Sequence, residues 1–338
     1  MIFDEFKPTG ISDWLAEVQK NSAPNLSTDH LNYHPLKNMV VPSYVTSETG
    51  INAKRVKLNT HQKFEVCIPF DINNPSPDYS LLEGVEAIEF EWKGESLPNI
   101  LNGLRYHITT KTEHLEILNS FETTGTITIS DATDPESIQA LLKNPVKGFK
   151  FLCADATANS NDDVIEHLQD GIFMADLYIK QVLQMKKDPA DSIFFKVTLG
   201  EDFYLNLAKI KALKQGWYNL LTHYGLPLSD PTILSETEDL SLSNTEPEQN
   251  LIRATSMVFS AIAGGAGIVS IKGLKGIEHQ NPGFGLRMNR NIQLLLKEEG
   301  FASHVSDPAK GSYFLDALTA QLAESVWNAF IKRALKSN

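Results

Sequence analysis

The chain has 338 residues, of which 42% are hydrophobic, and it carries a formal net charge of −12. This length is enough to bury a large core without disulfides or metals. The acidic balance, with no cluster of Lys and Arg, argues against a nucleic-acid-binding protein, since phosphates are neutralised by a basic face. No apolar run approaches the roughly 18 to 20 residues of a membrane span. Residues 1–8 contain no basic leader, so a cytoplasmic location is expected.

The first predicted unit is an N-terminal arm, residues 1–60. A helix is predicted over residues 11–20, and an irregular stretch rich in Asn, Pro and Ser follows it. Such a segment cannot bury much of itself. We therefore expect the arm to lie on the rest of the chain or on another subunit, with Trp14 as a subunit contact.

Strand-like and helix-like segments alternate through residues 61–338. Strands are predicted over residues 64–70, 87–92, 105–110, 124–130, 148–154, 192–199, 232–237 and 267–272. Apolar residues at helical spacing predict helices over residues 113–120, 134–143, 162–185, 203–224, 247–263, 281–299 and 320–337. Eight such units close most simply as an α/β (β/α)8 TIM barrel, with an open doubly wound sheet as the alternative.

Some details of these elements are also predicted. The glycine run 264–267 precedes a strand, which favours a tight turn with a glycine helix stop over a phosphate cradle. Residues 240–248 are polar and predict a loop. Cys67 and Cys153 lie in apolar runs and are expected to be free structural thiols. In the helix 203–224, three lysines are expected to face water: Lys209, Lys211 and Lys214. Four phenylalanines are candidates for filling the barrel axis: Phe70, Phe90, Phe151 and Phe195.

Candidate site residues are those at the C-terminal ends of the strands, because the loops that follow build the ligand face of such a barrel. The charged ones are Lys111, Asp155, Glu201, Asp202, Glu236, Glu238 and Lys272. Asp155 and Glu236 are candidates for a paired-carboxylate acid/base site. Thr237 and Lys272 are candidates for contacting a ligand at the barrel mouth, and no metal site is predicted.

The last third of the chain carries motifs of a known family. Residues 264–270 read Gly-Gly-Ala-Gly-Ile-Val-Ser, residues 289–293 read Asn-Arg-Asn-Ile-Gln, and residues 307–313 read Asp-Pro-Ala-Lys-Gly-Ser-Tyr. This succession resembles the end of the acyl-CoA-binding barrel of methylmalonyl-CoA mutases, where an Ala-Arg-Asn-Xaa-Gln helix precedes an Asp-Pro-Trp-Gly-Gly-Ser-Tyr-Tyr loop and a closing helix. The arm is similar to that of the family's small subunits, with Trp14 followed by Leu-Lys-Asn-Met-Val-Val-Pro-Ser-Tyr at residues 36–44.

The resemblance implies a mutase-type barrel along whose axis CoA threads. A separate flavodoxin-like domain would present adenosylcobalamin, the cofactor that carries the radical chemistry. The chain ends where that domain would begin. None of its nine histidines has an aspartate two positions earlier, as the family's Asp-Xaa-His-Xaa-Xaa-Gly ligand motif has. We expect a barrel without the cobalamin domain, and no cobalamin bound by this chain alone.

The chain departs from the family pattern at three places that the resemblance makes catalytic. The Arg-Gln-Tyr of the first strand is matched by Cys-Ile-Pro at residues 67–69. The Gly-Tyr-His motif after the fifth strand falls near Asp155 and Ala156. The histidine-bearing segment at the end of the seventh strand reads Ser-Glu-Thr-Glu at residues 235–238. These departures disfavour catalysis by this chain.

The resemblance therefore implies the non-catalytic small subunit of a heterodimeric methylmalonyl-CoA mutase, an isomerase whose large catalytic subunit binds adenosylcobalamin. A self-dimer is the alternative assembly. A second hypothesis is a catalytic acyl-CoA mutase barrel that uses a separate cobalamin-binding chain. A third is an unrelated barrel enzyme that uses Asp155 and Glu236 for a hydrolytic or lyase reaction.

Overall fold

Eleven strands and eight α-helices are described in a computed structural model of the chain. The structure describes residues 9–21, 28–46, 63–72, 78–95, 101, 103–119, 122–131, 135–157, 164–237, 247–272, 274 and 283–337. The strands are β1 (Tyr33–Leu36), β2 (Met39–Val41), β3 (Glu65–Pro69), β4 (Ala87–Glu91), β5 (Arg105–Thr110), β6 (Gly125–Ile129), β7 (Phe149–Lys150), β8 (Leu152–Ala156), β9 (Ile193–Leu199), β10 (Thr232–Thr237) and β11 (Ile268–Ser270).

The helices occupy the segments between and after the strands. They are α1 (Ile11–Asn21), α2 (Leu115–Leu118), α3 (Pro135–Lys143), α4 (Val164–Gln184), α5 (Phe203–His223), α6 (Pro247–Gly264), α7 (Phe284–Leu294) and α8 (Tyr313–Ser337). A π-helical turn, Leu295–Glu299, continues α7. Among the described helices, none is long and apolar enough to cross a membrane. The loop predicted at residues 240–248 lies almost entirely outside the described residues.

Strands β3 to β11 form one sheet in the order β7-β6-β5-β4-β3-β11-β10-β9-β8, and neighbouring strands run parallel. Only Phe151 separates β7 from β8, so the two are halves of one strand region. β7 pairs with β6 at one end of the order, and β8 pairs with β9 at the other. The sheet therefore curls into a barrel of eight strand regions. The predicted (β/α)8 fold is confirmed, and the open sheet is wrong.

The main apolar core lies between the barrel and the surrounding helices. All four phenylalanines proposed for the barrel axis belong to this outer core: Phe70, Phe90, Phe151 and Phe195. Phe195, for example, meets Trp217 of α5 edge-on, with ring centroids 5.9 Å apart. That part of the prediction is wrong by one position, because neighbouring residues of a strand point to opposite faces of the sheet.

The arm contains a β-hairpin that the sequence pattern did not predict. β1 and β2 pair antiparallel, and Leu36, Met39 and Val41 are buried in the main core. The Tyr33 hydroxyl donates a hydrogen bond to Asp202 at the start of α5 (2.5 Å). The hairpin therefore lies on the barrel. By contrast, α1 buries none of its residues.

The three lysines of α5 that were expected to face water are buried instead. Lys209 donates to the carbonyl oxygen of Thr198 (2.7 Å), and Lys211 pairs with Asp307 (2.8 Å). Lys214 is fully buried, and burial lowers its pKa to about 8. The prediction failed because α5 packs against both α6 and α8, so its outer face is covered by the C-terminal part of the chain.

The glycine run after α6 ends that helix as predicted. Gly265 has a positive φ of 93°. Its N–H donates to Ile262 O (2.9 Å), and the N–H of Ala266 donates to Ala261 O (3.0 Å). This pair of bonds is the Schellman pattern of a helix C-terminus. The prediction of a glycine helix stop is confirmed.

Candidate functional site

Four charged side chains, three on strands and one just after a strand, meet inside the barrel, at the C-terminal side of its lumen. Glu236 lies on β10, Glu89 on β4, Lys196 on β9, and Lys272 two residues beyond β11. Lys196 Nζ is 2.8 Å from Glu236 Oε1, and Lys272 Nζ is 2.7 Å from Glu236 Oε2. Lys272 Nζ is also 3.3 Å from Glu89 Oε1. These four residues, called the charged layer below, bridge the lumen.

The environment of the charged layer pushes the pKa values of its two carboxyl groups apart. Burial and the neighbouring carboxylate of Glu236 raise the pKa of Glu89 to about 7, against the opposing charge of Lys272. Burial also acts to raise the pKa of Glu236, but Lys196, the hydrogen bond with Glu89, and Lys272 outweigh it and lower that pKa. Glu89 is thus the member of the pair that holds a proton most readily.

An apolar layer packs the lumen directly beneath the charged layer. Its buried members are Cys67, Ala87, Phe194, Leu234 and Ile268, with Cys153 packed against them. In β4, β9 and β10 the charged residue follows the apolar one by two positions, so both point inward. Layers of inward side chains are the usual filling of a closed (β/α)8 barrel. The lumen is a packed core at this level.

A second polar group lies at the N-terminal side of the lumen. Glu65 on β3 pairs with Arg105 on β5, and His107 Nε2 is 3.5 Å from Glu65 Oε2. His107 is 2% exposed, and its Nδ1 is 3.0 Å from the hydroxyl oxygen of Thr126. Polar side chains therefore lie both above and below the apolar layer.

Four residues were predicted for the acid/base pair and the barrel mouth, namely Asp155, Glu236, Thr237 and Lys272, and the structure brings the last three together. Glu236 is paired with Lys272, as described above, and the Thr237 hydroxyl accepts from the N–H of Lys272 (2.8 Å). Asp155 lies apart on β8, which the intervening strand β9 separates from β10. Its side chain is exposed and accepts a hydrogen bond from the N–H of Thr157 (2.9 Å). The carboxyl group that meets Glu236 belongs to Glu89.

Two of the other charged residues at strand ends, Asp202 and Glu201, contact neighbouring helices. The Asp202 carboxylate caps α5 by accepting from the N–H of Leu205 (3.0 Å). Glu201 lies 3.6 Å from Arg253 of α6. Lys111 is exposed before a short 3₁₀ turn. Glu238 lies outside the described residues.

The motif at residues 289–293 joins the last helix of the barrel to its first strand. The Gln293 side chain accepts from the N–H of Cys67 (3.0 Å) and donates to the Cys67 carbonyl oxygen (2.7 Å). It also donates to Asn289 Oδ1 (2.8 Å), and the Asn289 amide donates to the carbonyl of Ile271 (2.7 Å). Both side chains are buried. The motif therefore fastens α7 across the junction of β3 and β11.

The motif at residues 307–313 forms the turn that leads into α8. Asp307 pairs with Lys211 on α5, and Gly311 has a positive φ of 94°. The carbonyl of Ser312 accepts from the N–H of Asp316 (2.9 Å) in the first turn of α8. These contacts join the loop to α5 and begin α8, which is a structural role.

Three inward-facing residues, Glu89, Lys196 and His107, were not predicted, yet each carries a recognisable signal in the sequence. Each is a charged or polar residue with large apolar neighbours on both sides: Ile88 and Phe90, Phe195 and Val197, Tyr106 and Ile108. In a barrel covered by helices, the apolar neighbours face the helices and the residue between them faces the lumen. In the described part of the chain, no cluster of three His, Cys, Asp or Glu side chains is placed to hold a metal.

Comparison with known proteins shows the following similarities. Residues 145–333, more than half of the chain, match the family model described as methylmalonyl-CoA mutase. A probable methylmalonyl-CoA mutase small subunit of Mycobacterium tuberculosis is 34% identical over 149 residues, which cover 42% of this chain and 24% of that protein. The methylmalonyl-CoA mutase small subunit of Propionibacterium freudenreichii is 31% identical over 143 residues, covering 41% and 22%.

Similarity extends to proteins that are not called small subunits. The methylmalonyl-CoA mutase of Cereibacter sphaeroides is 30% identical over 143 residues, covering 41% of this chain and 20% of that protein. The matched segment thus spans about a quarter or less of the length of these relatives. Among solved structures, a dihydropteroate synthase of Yersinia pestis aligns over 74% of this chain and 100% of its own, at 13% identity and a TM-score of 0.39. This structural overlap is too weak to add to the assignment.

Proposed function

The chain belongs to the methylmalonyl-CoA mutase family, and from this premise we propose that it is the small, non-catalytic subunit of a heterodimeric mutase. Its role is to pair with the large catalytic subunit, which interconverts methylmalonyl-CoA and succinyl-CoA, and to stabilise it. The observation that carries this proposal is the filled lumen of the barrel.

An acyl-CoA substrate that threads along the barrel axis needs an open path. In this chain the axis is crossed by the charged layer and then filled by the apolar layer beneath it. Opening a path would separate the buried carboxyl group of Glu236 from Lys196 and Lys272. Leaving a buried charge without its partner costs about 3 to 5 kcal/mol. A closed lumen supports a barrel that does not bind CoA along its axis.

The residues at the catalytic positions of the resemblance have other environments here. Burial, followed by the negative charges of Glu89 and Glu65, raises the pKa of the Cys67 thiol well above its usual value, so this thiol stays neutral. Glu236, in the segment where the family carries histidine, is held between two ammonium groups. Neither arrangement provides a free donor for an acyl group or a thioester carbonyl.

The mutase family is generally cobalamin-dependent, but the residues of this chain do not fit the cofactor. The lower ligand of cobalamin in the family is a histidine of an Asp-Xaa-His motif, which none of the nine histidines matches. His107, the buried histidine among the described residues, is held by Thr126 and Glu65. In the proposed complex, adenosylcobalamin is therefore bound by the large subunit.

The N-terminal arm, residues 1–60, is the proposed subunit contact, and residues 61–338 form the barrel unit. Support comes from α1, an amphipathic helix that buries none of its own residues. Trp14 of this helix is half-buried and stacks on Tyr44 with ring centroids 5.3 Å apart. The two free thiols, Cys67 and Cys153, are typical of a reducing compartment, so we place the complex in the cytoplasm.

The proposal is tested by mixing the chain with the full-length large mutase subunit of the same organism. Complex mass by light scattering and turnover of succinyl-CoA with added adenosylcobalamin are measured together. We expect a one-to-one complex whose turnover is the same when this chain carries Glu236→Gln or, as a control at the exposed end of β4, Glu91→Gln. A catalytic barrel would instead lose turnover with Glu236→Gln in a complex of unchanged mass. It would also turn over with a small cobalamin-binding chain alone.

A further inference from the structure

The barrel wall is incomplete between β6 and β8. β6 pairs with β7 at Gly125↔Phe149 and Thr126↔Lys150, and this register ends there. From Leu152 onward, β8 is paired on its other side, with β9. The two strands therefore diverge toward their C-terminal ends and leave a seam in the sheet.

A cavity of about 380 Å³ lies in this seam. Its lining includes neighbouring residues of one strand, such as Leu152 and Cys153 of β8, or Thr128 and Ile129 of β6. Neighbouring residues of a strand point to opposite faces of a sheet, so they line one cavity only where the cavity passes through the wall. The cavity thus connects the layer beneath α3 and α4 with the lumen side of the barrel.

The two ends of the cavity differ in chemistry. On the helix side it is lined by apolar groups, among them Leu141 of α3 and Met174 of α4. On the lumen side, Asp155 is the one charged residue among the described residues of the lining. Tyr178 of α4 also lines the cavity, and its hydroxyl donates to the Cys153 carbonyl of β8 (3.3 Å).

We infer that the seam cavity binds a small amphipathic molecule with an apolar chain or ring and an ammonium group at one end. The volume is within the range of small-molecule sites, roughly 300 to 1,000 Å³. The apolar lining receives the chain, and the ammonium group donates to the Asp155 carboxylate. This site lies beside the charged layer, since Asp155 is the register neighbour of Lys196, and it does not depend on the proposed subunit role.

The test uses n-hexylamine, which is an ammonium ion at neutral pH, as the probe. The chain has six methionines, and one of them, Met174, lines the cavity. With methyl-labelled methionine, and the Met174 signal assigned by Met174→Leu, titration of the full chain is followed by NMR. We expect a saturable shift of the Met174 methyl signal, and at least tenfold weaker binding of hexanoate, whose charge is repelled by Asp155.

Two variants separate the ends of the site. Asp155→Asn changes an exposed side chain, and we expect it to weaken hexylamine binding about tenfold, the usual effect of losing one charged hydrogen bond. Asp13→Asn, the same change on the distant arm, should leave the dissociation constant unchanged. Leu141→Trp fills the apolar end and should abolish the shift of Met174.

Three results would overturn the inference. The first is the absence of a saturable shift at Met174. The second is equal binding of hexanoate and hexylamine, or of the unaltered chain and Asp155→Asn. The third is unchanged binding by Leu141→Trp with its other methionine signals intact. Asp155 is exposed, so we expect Asp155→Asn to fold. Its dissociation constant for hexylamine therefore tests the inference even if Leu141→Trp does not fold.

Discussion

Replacing Glu89 by glutamine should make the stability of the chain less dependent on pH. The buried Glu89 carboxyl has its pKa raised from 4.5 to about 7, by burial first and then by the carboxylate of Glu236. Glutamine has the shape of the protonated acid and keeps an N–H donor for Glu236. It therefore copies the form of Glu89 that the folded protein prefers, at every pH.

The magnitude follows from the two pKa values. Between pH 4.5 and about 7 the unfolded chain releases the proton of Glu89 while the folded chain keeps it, so stability falls as pH rises through this range. One pKa unit corresponds to about 1.4 kcal/mol, so the difference between 4.5 and about 7 limits the loss of stability to about 3 kcal/mol. Glu236, whose pKa is lowered, acts in the opposite direction but below pH 4.5, outside this range. The ammonium group of Lys272 lies against both carboxyl groups and partly stabilises an ionised Glu89, which reduces the loss of stability. We therefore expect a loss of about 1 to 3 kcal/mol.

The assay is urea unfolding followed by tryptophan fluorescence at pH 5, 6, 7 and 8. Glu89→Gln should match the unaltered chain at pH 5 and exceed it by about 1 to 3 kcal/mol at pH 8, with an unchanged dependence on urea. Glu91→Gln, at the exposed end of the same strand, serves as the control and should follow the unaltered chain throughout. Parallel pH profiles for all three proteins, or a glutamine variant that is less stable at pH 8, would refute the reasoning.

Two further predictions concern the α7 motif and the arm. Gln293→Leu leaves the buried N–H and C=O of Cys67 without the partner that Gln293 provides, and it should lower the free energy of unfolding in urea by about 2 to 4 kcal/mol. The control Gln249→Leu, at an exposed position, should change that free energy by less than about 0.5 kcal/mol. Equal effects of the two substitutions would contradict the structural role of the motif. Trp14→Ala removes one stacking contact with Tyr44 and should change the unfolding free energy of the isolated chain by about 1 kcal/mol or less. The same variant should weaken binding to the large subunit at least tenfold in calorimetry, and unchanged affinity would argue against the arm as the contact.

The sequence pattern predicted the eight strand regions because each is a short apolar run bounded by turn residues. The β1–β2 hairpin was missed since its strands have four and three residues and one contains Pro35. Strands this short show little periodicity in their sequence, and Pro disfavours a strand. The hairpin is stabilised instead by burial of Leu36, Met39 and Val41, which depends on the rest of the fold.

Errors about the inside and outside of elements have a common cause. The helical pattern of α5 could show which face of the helix is polar, but it could not show that α8 covers α5 or that the turn before α8 buries Lys211 against Asp307. In the same way, the strand prediction located Phe90 without fixing which side of the sheet it occupies. A shift of one residue exchanges the two faces, so the lumen residue Glu89 was overlooked beside it.

The candidate site was predictable only in part. Glu236, Thr237 and Lys272, which the structure brings together, were predicted because they lie at strand ends, where barrel sites are built. Glu89, the acid that meets Glu236, was not predicted, because the contact between β4 and β10 crosses the lumen and no local sequence pattern marks it. Asp155 and Glu236 remain a predicted pair without a contact between them in the structure, and the seam beside Asp155 arises from strand divergence that no sequence pattern marks.

The most direct test of the central claim is the number of acyl-CoA molecules bound by the complex of this chain with the large mutase subunit. Titration calorimetry with methylmalonyl-CoA, in the absence of adenosylcobalamin so that turnover does not occur, gives this number. A lumen closed by the charged and apolar layers predicts one molecule per complex and none for this chain alone. Two molecules per complex, or binding to the isolated chain, would contradict the account.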